Sequence, residues 1–209
     1  MKIIRTFESF DDHKRYEFDD LSQEAQQTAI ENERNSMDEA MGEWWYEPII
    51  EGETEKLKSE GFDDIDIQFS GFHSQGDGAS FTGEIPDRET FVKETLGMEM
   101  PDEVLENMHM VVIRTDTRHL HENTVRFDCE VDGEDEIQLL KLGADVDIKL
   151  DVQEYCDKIE KVASVWIKSR CQEIYNKLNK EYDSYFEEEH IIADIKANGI
   201  KFDEDGNII

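Results

Sequence analysis

The sequence predicts an α+β fold: an antiparallel β-sheet of about four main strands packed with helices, one long C-terminal helix and a small terminal hairpin. Three observations predict it. Runs such as Ile65-Asp66-Ile67-Gln68-Phe69 alternate apolar and polar residues, as half-buried strands do. A stretch beginning near Asp151 repeats apolar residues at helical spacing for about 30 residues. Strand runs and helical runs are interspersed and joined by short links, which favours an antiparallel sheet with helices over one face. The 209 residues suit one domain over 1–209. Residues 1–132 read as strand-rich with two N-terminal helices, and residues 133–209 as mainly helical.

The elements follow in order. Residues 2–7, KIIRTF, suit a short first strand, and 11–20 a polar loop. Ser22 is a favourable N-cap, with Glu24 in the first turn, where its charge suits the helix dipole. Ala25, Ala29 and Ile30 give that helix its apolar stripe. A second helix is expected from about Asp38 to Ser59, burying Trp44, Trp45, Ile49, Ile50 and Leu57; Pro48 either kinks it or marks its true start. Gly61 ends it. Residues 65–69 and 79–85 form a hairpin around a glycine-rich loop. DRETFVKETLG reads as a helix closed by Gly97, and Pro101 suits the first position of a short helical turn, PDEVLENM.

His109 to Thr117 and Thr124 to Val131 are strands, linked by RHLHEN. Ile137, Leu139, Leu140 and Leu142 fit either strand or helix. Val146, Ile148 and Leu150 alternate, so a strand is possible there. Asp151 with Glu154 resembles a capping box opening the long helix. Its inward face is expected to use Tyr155, Ile159, Val162, Trp166, Ile174, Leu178 and Tyr182. EEEHIIADIKAN then forms a shorter helix stopping at Gly199, and IKFDEDGNII a hairpin turning at Asp205-Gly206.

Charge is the strongest compositional signal. The chain carries 53 acidic and 22 basic residues, a net −31. The excess is spread along the whole chain rather than held in a tail: −10 over residues 1–60, −12 over 61–132 and −9 over 133–209. Such a surface repels nucleic acid and anionic membranes and attracts basic surfaces or cations. It serves solubility, or it competes for a basic groove as a mimic of the phosphate backbone. Cys129, Cys156 and Cys171 are odd in number and form no CxxC, which argues against a disulfide framework or a zinc site and fits a reducing cytosol. No 18-residue apolar run and no signal-peptide core is present, so a soluble intracellular protein is expected.

The candidate binding site is the loop between the first hairpin strands. His73, Ser74, Gln75 and Asp77 offer converging polar side chains, while Gly76 and Gly78 leave room for a ligand. Ser80 and Phe81 complete the set, and Trp45 is a candidate partner contact. Asp77 could act as a base and Ser74 or Ser80 as a nucleophile. Neither G-x-S-x-G nor a phosphate-binding G-x-x-x-x-G-K-[ST] occurs. Gln-Gly-Asp-Gly is equally a natural hairpin loop. His119 and His121 are two apart near Asp116 and Glu122, a weak metal signal without a clear third ligand. Asp203-Glu204-Asp205-Gly206 lacks the order of a calcium loop. No cofactor and no metal is expected. Glu187-Glu188-Glu189 is a helix start or part of an acidic contact face.

SGFHSQGDGASFTG resembles the signature of a family of small uncharacterised proteins encoded by bacteriophages and prophages. FDDLSQEAQQTA is similar to that family's F-D-x-L-S-x-E-A start. The Trp-bearing EWWYEPIIEGETEKLKSEGFDDIDIQFSGF and the C-terminal IYNKLNKEYDSYFEEEHIIADIKANGIKFDEDGNII resemble its central and final segments; residues 86–150 match least. The family often has a bulky aromatic in place of His73 and a Cys in place of Ser80, which weakens a nucleophilic role at that position. The resemblance implies a phage origin and a host-cytoplasmic setting rather than a chemistry. The expected function is then to bind and inhibit or redirect a basic host protein, such as a nuclease or polymerase, without direct nucleic-acid or membrane contact. The alternative is a small ligand-binding protein or enzyme using the SQGDGAS loop, and a homodimer is possible.

Overall fold

The structure, a computed structural model, describes residues 14–72, 74–116, 118–131 and 146–209. The strand expected over 2–7, the run Ile137 to Leu142 and the candidate His73 lie outside these residues. The chain divides into two compact units, one of residues 1–45 with 181–209, the other of residues 46–180.

The larger unit holds a four-stranded antiparallel sheet in the order β1 (Asp63–Phe69), β2 (Ala79–Glu84), β3 (Met108–Arg114) and β4 (Val125–Val131). Register puts Met110 opposite Cys129 and Val112 opposite Phe127. These residues, with Met108 and Val125, are buried, while Glu130 and His109 between them are exposed. A side-chain period of two thus gives β3 and β4 one wet face and one dry face. β1 starts with an irregularity: Asp64 has φ 50° and the pairing shifts between Asp63 and Asp66.

Helices supply the core's other half. α2 (Glu47–Ser59) begins where Pro48 allows, in the first turn, and not at Asp38 as a single long helix would require. Gly61, at φ 98°, ends it, and the position takes glycine because an added Cβ would also lie 2.4 Å from the carbonyl oxygen of Asp87. The segment after Pro86 forms a π-helical turn, Thr90–Thr95, and Pro101 caps the short α3 (Asp102–Leu105).

α4 (Val146–Tyr185) is 40 residues long. It already runs through Val146–Leu150, so that segment is helix and not strand, and Asp151 lies inside the helix rather than capping it. Its buried stripe is Cys156, Ile159, Ala163, Ile167, Cys171, Ile174 and Leu178. Val162, expected inside, is 39% exposed. Trp166 stacks on Phe62 at 5.9 Å and meets Phe91 edge-on at 5.6 Å.

Two ion pairs tie α2 to α4. Arg170, 4% exposed, bonds Glu60 and also Glu173 at 2.9 Å, with its guanidinium 5.3 Å from the Trp166 ring. Lys177 bonds Glu53, which is 3% exposed. Arg170 and Glu60 are both largely buried, so removing one of them costs about 3–5 kcal/mol by stranding the other charge, whereas Lys177 is more than half exposed and solvent screens its pair.

The smaller unit is built from α1 (Gln23–Ala40), a 3-10 turn at Glu43–Trp45, the end of α4 and α5 (Glu188–Asn198). Ser22 caps α1, its Oγ accepting from Ala25 N at 3.2 Å. Ala25, Ala29 and Ile30 pack with Phe18, Leu21, Ile191, Ile195 and Phe202. Gly199, at φ 61°, ends α5. Phe202 bridges to both Tyr16 and Ile208, so the terminal turn closes onto the start of the described chain. Among the described residues, no helix is long and apolar enough to cross a membrane.

Candidate functional site

The glycine loop is built to close on itself. Ser70 N donates to the carbonyl of Gly78 at 3.0 Å, and Gly78 N donates to Ser70 Oγ at 3.1 Å. Asp77 Oδ2 accepts from Ser74 N at 2.6 Å, and Asp77 N donates to the Ser74 carbonyl at 3.1 Å. One oxygen of the Asp77 carboxylate thus completes a turn.

The glycines serve packing. A Cβ on Gly78 would sit 2.4 Å from His121 Cβ and 3.1 Å from the Leu120 carbonyl. Gly76 has φ 98° and lies beside the His119 ring. The loop thus rests on the β3–β4 loop. That second loop is held by His121 N to Thr124 Oγ1 at 3.3 Å, Asn123 N to His121 Nδ1 at 3.1 Å, and Lys168 Nζ to Asn123 Oδ1 at 3.0 Å. The rings of His119 and His121 are 6.2 Å apart. No group of three or more His, Cys, Asp or Glu among the described residues could hold a metal.

Of the predicted site residues, Ser74 and Gln75 are exposed, and Gly76 and Asp77 are half-buried. Ser80 and Phe81 are 0% exposed within β2, so neither side chain reaches a surface partner. Phe81 packs on Phe62 at 5.6 Å, and Ser80 Oγ has no hydrogen-bond partner. A line of rings from α2 to α4 anchors the loop: Tyr46 on Phe69 at 5.0 Å, Phe69 on Phe72 at 5.9 Å and Phe72 on Tyr175 at 5.5 Å. Their pairing was not read from the sequence, although Phe69 and Phe72 stand at the loop's mouth.

The smaller unit presents a different surface. Trp45 is 8% exposed, against Tyr182 at 5.6 Å; its neighbour Trp44 is 56% exposed and meets Tyr185 edge-on at 5.3 Å. The tryptophan expected to meet a partner is therefore in the core, and the other one is outside. Adjacent residues of any helical turn point to different sides, so one ring of the pair is buried and the other is left outside. Tyr182 also meets Phe186 at 4.7 Å and donates its hydroxyl to Asp38 Oδ1 at 2.8 Å. Burial, then the Asp38 carboxylate, pushes the Tyr182 phenol up to about 12. Burial and Glu181 push Tyr185 in the same direction.

These rings sit among acids in the sequence. Residues 181–209 hold nine acidic and two basic side chains. Both basic ones are already engaged, Lys196 with Asp19 at 2.7 Å and Lys201 with Glu17. No lysine or arginine pairs with Glu39, Glu187, Glu188 or Glu189 among the described residues.

The fold and this surface define an acidic α+β protein that carries an exposed aromatic patch. A family model described as Domain of unknown function (DUF8835) matches residues 45–188, and the chain belongs to that family. No curated protein and no solved structure matches the chain.

Proposed function

We propose that this is a phage-encoded, non-enzymatic protein that binds a basic, nucleic-acid-handling protein in the host cytoplasm and inhibits or redirects it. The observation that carries the reading is Trp44, more than half exposed on Tyr185, in a unit where Glu39, Glu187, Glu188 and Glu189 pair with no lysine or arginine among the described residues. Interfaces draw much of their energy from a few such aromatic anchors, while unneutralised charge steers the encounter and sets its salt dependence. A net −31 makes a positively charged groove the matching surface.

The test is a pull-down from bacterial lysate at about 0.05 M and about 0.5 M salt, with wild type and Trp44→Ala. Partners held at low salt, released at high salt and weakened by Trp44→Ala support the reading. Retention indifferent to both salt and Trp44 overturns it.

A further inference from the structure

The larger unit carries an open groove of ≈ 720 Å³ between the segment Thr95–Met98 and α4. Leu96, Met98, Val162, Val165 and Trp166 give it apolar walls. Val165 is 69% exposed and Val162 39%, on a helix whose opposite stripe is fully buried. Apolar side chains left wet in a concave surface mark a binding site more often than a defect. The volume lies in the range that suits a small molecule, roughly 300–1,000 Å³.

Two lysines share that wall. Lys158 and Lys161 line the groove, on a chain in which acids outnumber bases 53 to 22. Their three-residue spacing, with Val162 and Val165 four further along, sets all four on one helix face. Lys158 pairs with Glu154 at 2.7 Å. Lys161 has no acidic partner among the described residues. An ammonium beside unfilled apolar surface matches a ligand with a greasy body and one negative end.

We propose that this groove binds a soluble amphiphilic anion, a free long-chain carboxylate in chemical class. Its chain lies along Leu96, Met98, Val165 and the Trp166 ring, and its head group meets Lys161. Charge selects this occupant over the others. A second copy of the chain would bring lysine against lysine and add a further −31. A cationic amphiphile would meet Lys158 and Lys161, and no acid is among the residues lining the groove.

Calorimetric titration with dodecanoate, below its micellar concentration, tests the assignment, with dodecanol and dodecyltrimethylammonium as head-group controls. Saturable one-to-one binding of dodecanoate alone is expected. Lys161→Glu should weaken it by about fivefold or more, and Lys180→Glu, which changes net charge equally but lies far along α4, should not. Val165→Asp should abolish it; both substituted sites are exposed, so the fold is kept. Dodecanol binding as tightly as dodecanoate, equal effects of Lys161→Glu and Lys180→Glu, or a dimer that Val165→Asp dissolves would each overturn the proposal.

Discussion

Cys129 and Cys156 hold their sulfurs 3.3 Å apart, one on β4 and the other on α4. Met108 Sδ lies 3.9 Å from Cys129 Sγ, and all three residues are buried. The hydrogen bond shared with Cys156, then burial, pushes the Cys129 thiol upward from its usual range. A thiol held neutral and away from solvent is a poor nucleophile. In the native protein at pH 8, Cys129 and Cys171 should resist Ellman's reagent until denaturant is added. Diamide, which takes two hydrogens from a thiol pair, should join 129 to 156 and leave Cys171 free. Peptide mapping that finds Cys171 in the cross-link would refute this arrangement.

Salt should act on the free protein and on its complex in opposite directions. The free chain repels itself, and screening relieves that repulsion. Raising salt from about 0.05 M to about 0.5 M should therefore increase Tm, while partner affinity falls. Trp44→Ala should cost at least about 2 kcal/mol of binding, as anchor residues do, with little change in Tm. A Tm that drops with added salt would contradict the self-repulsion account.

Two glycines give a matched comparison. Gly52 lies within α2, and an added Cβ there meets nothing within 4 Å, so Gly52→Ala should stabilise by about 0.5–1 kcal/mol through helix propensity. Gly78→Ala drives a methyl into His121 and should destabilise by about 1–3 kcal/mol. Urea unfolding of both variants checks the pair, and equal signs would mean that the two loops do not touch as described.

Ser80 has a fully buried hydroxyl with no partner. Leaving such a group unsatisfied costs about 1–3 kcal/mol, whereas an apolar replacement of similar shape does not. Ser80→Ala and Ser80→Cys should hold or raise stability in thermal melts. Loss of a partner-binding or chemical activity in Ser80→Ala, with the fold intact, would instead restore a functional role to this position.

Alkaline pH should unfold the protein through two groups. Burial pushes Cys171 from an ordinary 9.0 to about 12, and Tyr182 moves from 10.0 to about 12. Both are raised in the folded state, so their contribution is complete below the unfolded pKa and is lost as pH climbs through the folded one. For Cys171 that window runs from 9.0 to about 12. Cys171→Ala should flatten the fall in Tm across it relative to wild type. Parallel slopes would show that the thiol is not what titrates.

Local signals were legible where a single residue does a single job. Ser22 caps α1, Gly199 ends α5, and the alternation in 65–69 and 125–131 made strands. The inward face of α4 was less legible because bulk misled. Val162 and Tyr155 looked like core, yet the stripe runs through the smaller Cys156, Ala163 and Cys171 beside Ile159, Ile167, Ile174 and Leu178. Periodicity puts Trp44 and Trp45 on different sides of a helical turn but does not say which one faces inward. The glycine loop's own hydrogen bonds were within reach of the sequence, as a hairpin connection; its packing on His121 depends on a distant hairpin and leaves no local trace.

The bridge between Tyr16 and Phe202 has a consequence for biosynthesis. The apolar stripe of α1 leaves the ribosome well before Ile191, Ile195 and Phe202, against which it packs and which follow it far along the chain. At roughly 5–20 residues per second, α1 waits on the order of ten seconds or more for its mates. The larger unit can fold during that delay, so the smaller one is the late and vulnerable step, and a ribosome stalled before Phe202 would hold a chain with one unit finished and the other open.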